Sequence, residues 1–550
     1  YQANGGFGGG GGEGGDGGFG GGGGGSGGNG GFGGGGGTDG LPGFGGGTGD
    51  VGVDGGGGGG AGMGGAIFVV EGASLTIGGT ASTSGGAVAG GDSKSLLHGS
   101  AFGTGFFLQG TGSLTFAPEA GETVAIADVI TDQVGSGGTG SDAKSWNLVK
   151  TGDGVLVLSG DNSYSGTTTV AGGVLQVTGK ILSSLGVTAA SGGTFRADGS
   201  ASATSVAVKS GGTLGGNGGV GTVDVWAGGS VNPGASAGIL TTGDITFATG
   251  AFLVAEIGGA AAGTGGYDQI VVNGAVNLAG ATLDGELING FAPAAGTAFT
   301  IIDNDGSDAV AGTFAGLSEG SIVVFDQRQF SVTYKGGDGN DVVLTALQTV
   351  ITGNGKKNVV NADTTVKGQL LPTDAADIIK GKGDNDSLSG LGGDDSIIGG
   401  KGKDAVKGNS GDDTLQGKNG KDTVKGGSGD DTLDGGNADD KLTGGKDADA
   451  FVFSTKLGKN NVDKITDFGN GNDVIQLDDS IFTKLGPEGE LASEYFTKGA
   501  KAEGKGPQIV YQKSSGELYY DKNGNESGKQ VLFAKVYKGT SLSHDDFFVI

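Results

Sequence analysis

Nine aspartates recur at nine-residue intervals: Asp377, Asp386, Asp395, Asp404, Asp413, Asp422, Asp431, Asp440 and Asp449. Two residues after each stands an apolar side chain (Ile379, Leu388, Ile397, Val406, Leu415, Val424, Leu433, Leu442, Phe451), and five residues before all but the first stands a glycine, from Gly381 to Gly444. One carboxylate per nine residues, set in glycine-rich turns, suits a hard cation. Calcium takes about six to eight oxygen ligands, and glycine turns expose backbone carbonyls on a tight curve. From each aspartate to its apolar partner the pattern predicts a short strand, the alternate side chain turned inward, so that stacked units bury a column of Ile, Leu and Val. A single unit buries almost nothing. The array therefore supplies the stability, and the array needs the ion, because unneutralised carboxylates would line each edge at close range. A polar Gly/Asp-rich linker is the plain alternative; nine in-register pairs of aspartate and apolar residue weigh against it.

The block from Gly381 to Leu442, GKGDNDSLSGLGGDDSIIGGKGKDAVKGNSGDDTLQGKNGKDTVKGGSGDDTLDGGNADDKL, fits the nonapeptide GGxGxDxUx and closely resembles the RTX (repeats-in-toxin) family. The resemblance implies a right-handed parallel β-roll with two nonapeptides per turn, calcium being held between neighbouring turns by repeat aspartates and loop carbonyls. Carried over by position, Asp386 to Asp440 are its side-chain ligands. Asp377 and Asp449 stand at the ends, where a neighbouring turn is expected to be missing. Asp384, Ala438 and Asp447 fill the fourth position, where glycine would usually allow a left-handed backbone, so their edges are expected to be weaker sites. Lys403 and Lys421 fill the fifth position, which is expected to offer only a carbonyl.

Composition bounds the remainder. With 134 glycines in 550 residues, the chain is too glycine-rich for one ordinary globule, whereas a β-solenoid absorbs glycine well. There is no cysteine, hence no disulfide or thiolate metal site. A net charge of -27 argues against nucleic acid or an anionic membrane as partner and in favour of cations. No apolar run is long enough to span a bilayer, and no basic stretch followed by an apolar core opens the chain, which starts at Tyr1 and is read as processed or as a fragment.

Phe451 to Leu485, Gly516 to Asn525 and the terminal DDFFVI resemble the C-terminal domain that follows RTX repeats in proteins exported in one step by type I systems. That resemblance implies an extracellular or cell-surface location in a Gram-negative bacterium. Calcium gives such export a mechanism. Extracellular calcium modules work at dissociation constants of roughly 10⁻⁴ to 10⁻³ M, so repeats in a calcium-poor cytosol stay unfolded and threadable, then fold outside.

From Ala66 to Thr349 short β-prone runs alternate with Gly, Asn, Asp and Ser turns, which predicts many short strands. A sandwich would also give this spacing. A parallel β-helix is preferred, because the glycine turns recur without strict hairpin dipeptides. Leu148 to Val177, LVKTGDGVLVLSGDNSYSGTTTVAGGVLQV, closely matches the autotransporter-associated β-strand repeat of passenger β-helices, and SGGTLGGNGG, GGSVNPGASAGIL and YKGGDGNDVVLTAL also resemble parts of passengers. Gly336 to Leu344, GGDGNDVVL, is one complete nonapeptide with Asp341 in the ligand position, and without a neighbouring unit it reads first as a structural turn. In the first 64 residues Phe7, Phe19, Phe32 and Phe44 are spaced twelve or thirteen apart in glycine; either a flexible linker or narrow ordered glycine rungs would fit.

Catalytic signals are few. The two histidines, His98 and His544, lie outside HExxH, and no GxSxG elbow occurs. The enzymatic alternative is a β-helical polysaccharide lyase or epimerase carrying an RTX module, but basic residues are sparse between Ala66 and Thr349. The sequence thus predicts an all-β chain: a Gly-rich segment (1–64), a parallel β-helix (65–350), a linker or degenerate repeat (351–376), a calcium-bound β-roll (377–453) and a small β-rich secretion-type domain (454–550). The function expected is non-enzymatic: an elongated, secreted, calcium-stabilised surface fibre, matrix or S-layer-like component, or an adhesin, self-assembling into a homo-oligomer or filament, with cell-surface polysaccharide as a possible partner.

Overall fold

In a computed structural model of the chain, residues 16–17, 23, 27–37, 40–47, 60–91, 99–305, 308–524 and 530–550 are described. Apart from three short 3-10 turns, their regular structure is strand, and almost all pairing between strands is parallel. The chain divides into two compact units. One comprises Tyr1–Phe291, Ala298–Ser321 and Val332–Leu344; the other comprises Ala292–Thr297, Ile322–Ser331 and Thr345–Ile550.

The first unit is the parallel solenoid that the recurring glycine turns predict, and it has three faces. Each turn gives one strand to each face: Thr167–Val170, Gly173–Val177 and Lys180–Ile181, then Gly186–Ala189, Gly193–Ala197 and Ser200–Ala201. Val170 pairs with Ala189 and Val177 with Ala197, so a turn takes about twenty residues. Alternate side chains enter the core, where Leu156, Leu175, Phe195, Leu214, Val231 and Leu253 form one buried column. The alternating apolar pattern explains the sheets, and the parallel stack follows because a single narrow turn has no other apolar surface to cover its own.

Within the glycine-rich segment, the described residues are ordered as rungs. The N–H of Gly23 donates to Gly35 O, that of Gly30 to Leu41 O and that of Gly36 to Gly47 O, which are steps of eleven or twelve residues. Phe32 stacks on Phe44 at 5.4 Å, and both rings lie 6.2 Å from Phe107 in the solenoid. Phe32 and Phe44 thus pack with Phe102 and Phe107 in one aromatic cluster. Only glycine fits between these rungs: a Cβ on Gly43 would stand 1.7 Å from Gly31 O. Phe7, Phe19 and His98 lie outside the described residues.

The second unit is built on two parallel sheets facing one apolar column. Strands alternate between the sheets, and each pairs with the strand eighteen residues on: Ile379 with Ile397, Leu388 with Val406, Ile397 with Leu415, Val406 with Val424. Two nonapeptides therefore make one turn, as the RTX resemblance implies. Thr349–Thr352 and Val359–Val360 start the two sheets. Beyond Phe451, Asp463–Ile465 and Val474–Leu477 extend them with longer connections, and Phe547–Val549 pairs in parallel with Val474–Leu477. An antiparallel set, Gln508–Gln512, Glu517–Asp521 and Val531–Lys535, completes the second sheet. Ile397, Leu415, Phe451, Ile475, Phe533 and Phe547 share one buried cluster, so the repeats and the C-terminal strands have a common core.

Candidate metal centre

The connection before each repeat aspartate follows one backbone course. Its second and fourth residues both have positive φ in every repeat from Gly381 to Asp449. At the fourth position Asp384 (67°), Ala438 (91°) and Asp447 (75°) adopt the conformation that Gly411 (115°) and Gly429 (113°) adopt freely. The second position adds non-glycine residues in the same region, Lys382, Leu391, Asn409 and Lys418. Each such residue costs roughly 1–2 kcal/mol, so the turn is imposed by the stack rather than by local preference.

The turn delivers the aspartates to the interior, each at most 3 % exposed. One carboxylate oxygen of each is used structurally. Oδ1 of Asp395 accepts the backbone N–H of Asp377, and Oδ1 of Asp404, Asp413, Asp422, Asp431 and Asp440 accept those of Asp386, Asp395, Asp404, Asp413 and Asp422, at 2.7–2.9 Å. Asp449 Oδ1 does the same for Asp431 at 3.1 Å, and Asp386 Oδ1 accepts from Asn358 N–H at 2.6 Å. The ladder ties every one of these carboxylates to the backbone through the same oxygen.

The other oxygen has no partner. Oδ2 of Asp386, Asp395, Asp404, Asp413, Asp422, Asp431, Asp440 and Asp449 is buried and accepts no hydrogen bond. Each faces the glycine five residues before it: a Cβ on Gly390 would lie 1.7 Å from Asp395 Oδ2, and one on Gly408 1.8 Å from Asp413 Oδ2. The first glycine of each connection is required for this close approach, whereas the left-handed second and fourth positions accept other residues. A column of desolvated, acceptor-only oxygens beside curved glycine backbone is a donor set suited to a hard dication. Burial, the largest cause throughout, pushes Asp395 and Asp440 up to about 8, Asp431 and Asp449 to about 7, and Asp386, Asp413 and Asp422 to about 6, with Asp404 also raised. A cation there would hold these groups ionised.

The two ends differ from each other. Asp377 has its oxygens engaged: Oδ2 accepts Thr373 N–H at 2.6 Å, Oδ1 accepts Thr373 Oγ1–H at 3.1 Å, and the buried Arg328 guanidinium stands 4.0 Å from Oδ1. Asp449 keeps a free Oδ2, and the turn expected to be missing beyond it is present. Asp473 Oδ1 accepts the N–H of Asp449, and Asp463 Oδ1 accepts that of Asp440. Nine-residue spacing hides both, since they follow their ladder neighbours by 24 and 23 residues. The triplets Asp463-Lys464-Ile465 and Asp473-Val474-Ile475 carried the signal, an aspartate two residues before a buried apolar side chain.

Asp341, in the first unit, sits in the same kind of turn. Gly337 and Gly339 have positive φ, and Asp341 Oδ1 accepts the N–H of Asn304 at 3.0 Å. No helix among the described residues is long and apolar enough to cross a membrane.

Comparison with protein families agrees with this geometry. The family model of the RTX calcium-binding nonapeptide repeat (4 copies) matches residues 373–406, 407–442 and 416–451. That of the Passenger-associated-transport-repeat matches residues 148–177. No curated protein matches the chain. The protein thus joins RTX calcium-binding nonapeptide repeats, folded as a parallel β-roll, to a parallel solenoid that carries a passenger-associated-transport repeat.

Proposed function

We propose that this is a secreted, non-enzymatic structural protein of a Gram-negative cell surface, a fibre, matrix or layer component or an adhesin, whose second unit folds on calcium after type I export. The observation that carries the reading is the column of eight buried, unpartnered aspartate Oδ2 atoms in Asp386 to Asp449. Each unpartnered buried acceptor costs roughly 1–3 kcal/mol, more when charged, so the roll without cations is under strain along its whole length. Calcium would be held by these aspartates and by loop carbonyls, and what it supplies is charge neutralisation and cross-linking of turns. The low-calcium cytosol would then keep the chain threadable.

Self-assembly belongs to the same reading. Solenoids end in unpaired strand edges, which proteins cap or charge to prevent association. Gly489–Glu490 and Phe496–Lys498 are the last strands of the two sheets of the second unit, and the glycine rungs pack through Phe32 on Phe107 in the first. Contacts between unlike ends need not close and would give filaments or layers. Electron microscopy of the full chain in millimolar calcium and in chelator tests this. Filaments or sheets that dissolve on chelation support the proposal, and monomers under both conditions defeat it. Turnover of a uronate polysaccharide by the purified chain would favour a lyase or epimerase instead.

A further inference from the structure

The two edges of the roll share a backbone but not a chemistry. On one edge stand loops 381–386, 399–404, 417–422 and 435–440; on the other stand loops 390–395, 408–413, 426–431 and 444–449. Bonds across eighteen residues tie each set into its own stack: Lys403 N–H donates to Asn385 Oδ1 at 2.6 Å on the first, and Asp412 N–H to Asp394 Oδ1 at 2.9 Å on the second. The first edge carries five exposed lysines, Lys382, Lys401, Lys403, Lys418 and Lys421, against six aspartates, four of which are buried ladder carboxylates. The second carries one lysine, Lys446, against eight aspartates. At the fifth position, where the lysine edge has Lys403 and Lys421, the acidic edge exposes Asp394, Asp412 and Asp430.

Calcium would act on these edges unequally. With one dication in each interval between neighbouring loops, the acidic edge falls to about one net negative charge and the lysine edge rises to about five net positive. On the lysine edge the surplus sits on side chains that reach solvent, because the aspartates facing the ions are buried. We propose that calcium loading converts the lysine edge into a docking surface for an acidic polysaccharide; this rests on the calcium reading above.

A linear array favours a linear polymer. Lys403 and Lys421 stand one ladder step apart, roughly 4.8 Å, with Lys401 and Lys418 beside them. One charge per sugar ring is spaced on that order, whereas duplex DNA carries one per about 1.7 Å, out of step with the lysines and more strongly opposed by the acidic remainder of the chain. The acidic edge of a second copy is a weaker candidate, since the same calcium removes most of its charge. Lys421 also meets Asp439 at 2.8 Å, but both are exposed, and such pairs exchange at little cost.

The test is binding of labelled carboxymethyl dextran to the full chain, in millimolar calcium and in chelator, with circular dichroism read in the same titration. Binding is expected only in calcium, falling with salt. It should weaken about tenfold or more in K401Q/K403Q/K418Q/K421Q, yet persist in K407Q/K425Q, whose lysines lie on the sheet face. If the quadruple variant does not fold, the pairs K401Q/K418Q and K403Q/K421Q are read separately. Calcium-induced folding without polymer binding, equal binding of uncharged dextran or duplex DNA, or calcium-induced dimers that the lysine changes dissolve would each overturn the inference and leave the calcium reading standing. Absence of any calcium-induced change would defeat both.

Discussion

Arg328 Nη1 lies 4.0 Å from Asp377 Oδ1, and both side chains are almost fully buried. The first aspartate of the ladder therefore meets a cation that belongs to the chain. Arg328 is itself fixed, Nη2 donating to Pro293 O at 2.8 Å and Nη1 to Thr373 Oγ1 at 3.3 Å. Burial lowers the guanidinium pKa while Asp377 opposes that shift. The roll thus begins on a built-in positive charge, whereas each later ladder aspartate keeps one oxygen without a partner.

Removing that charge should be costly. Arg328→Ala leaves Asp377 buried with neutral partners, Thr373 among them, and breaking one side of a buried pair typically costs about 3–5 kcal/mol. Replacing both, Arg328→Met with Asp377→Leu, should recover most of the loss. Hydrogen exchange of the Asp377–Gly383 amides in saturating calcium reads the effect. Equal protection in Arg328→Ala and wild type would mean the pair contributes nothing.

Acid should partly replace calcium. The ladder aspartates have raised pKa values in the fold, so the metal-free folded state binds more protons than the unfolded chain between pH 4 and 8. That contribution is fully present below the unfolded carboxylate value and is lost as pH rises through about 6 for Asp413 and Asp422 and about 8 for Asp395 and Asp440. In chelator, circular dichroism should show more β-structure at pH 5 than at pH 8. With calcium the order reverses, because protons and cations compete for the same oxygens, and calorimetry in buffers of different ionisation enthalpy should detect proton release on binding.

The glycine five residues before each aspartate should tolerate no side chain. In Gly408→Ala the new Cβ would lie 1.8 Å from Asp413 Oδ2, so the carboxylate must turn away from its place. Gly383→Ala is the matched control, with its nearest neighbour at 4.0 Å and no left-handed backbone. The first change should raise the calcium needed for half-maximal folding several-fold, while the second should leave it within about twofold of wild type. Similar midpoints for both would show that this close approach is unimportant.

The sequence carried most of the fold because period is a physical constraint. Leu388, Val406 and Val424 stack only if every turn has the same length, and nine-residue spacing states that length directly. The parallel β-helix of the first unit was legible in its recurring glycine turns, but its three faces and its turn of about twenty residues were not, because no strict repeat marks them. Less legible was anything that depends on distant residues. Nothing near Asp377 in sequence announces Arg328, 49 positions away. The left-handed second position was masked by Lys382, Leu391, Asn409 and Lys418, residues that do not advertise a turn.

Asp463 and Asp473 were hidden by inserted loops, yet both join the ladder. Each accepts the N–H of the ladder aspartate one turn before, at 2.9 Å from Asp440 and 3.1 Å from Asp449. Burial pushes Asp463 up to about 7, in the range of the repeat aspartates. Asp473 Oδ2, however, already accepts Gly469 N–H at 2.6 Å, so its free capacity is smaller. Asp463→Asn should therefore reduce calcium affinity and the number of ions bound, measured by equilibrium dialysis of the full chain. Asp473→Asn should act mainly on stability, seen as faster exchange in Val474–Leu477 with the stoichiometry unchanged. Loss of an ion in Asp473→Asn but not in Asp463→Asn would reverse the assignment and place the final site on the acidic edge, where Asp430 and Asp447 line an open cleft with Asn470 and Asn472.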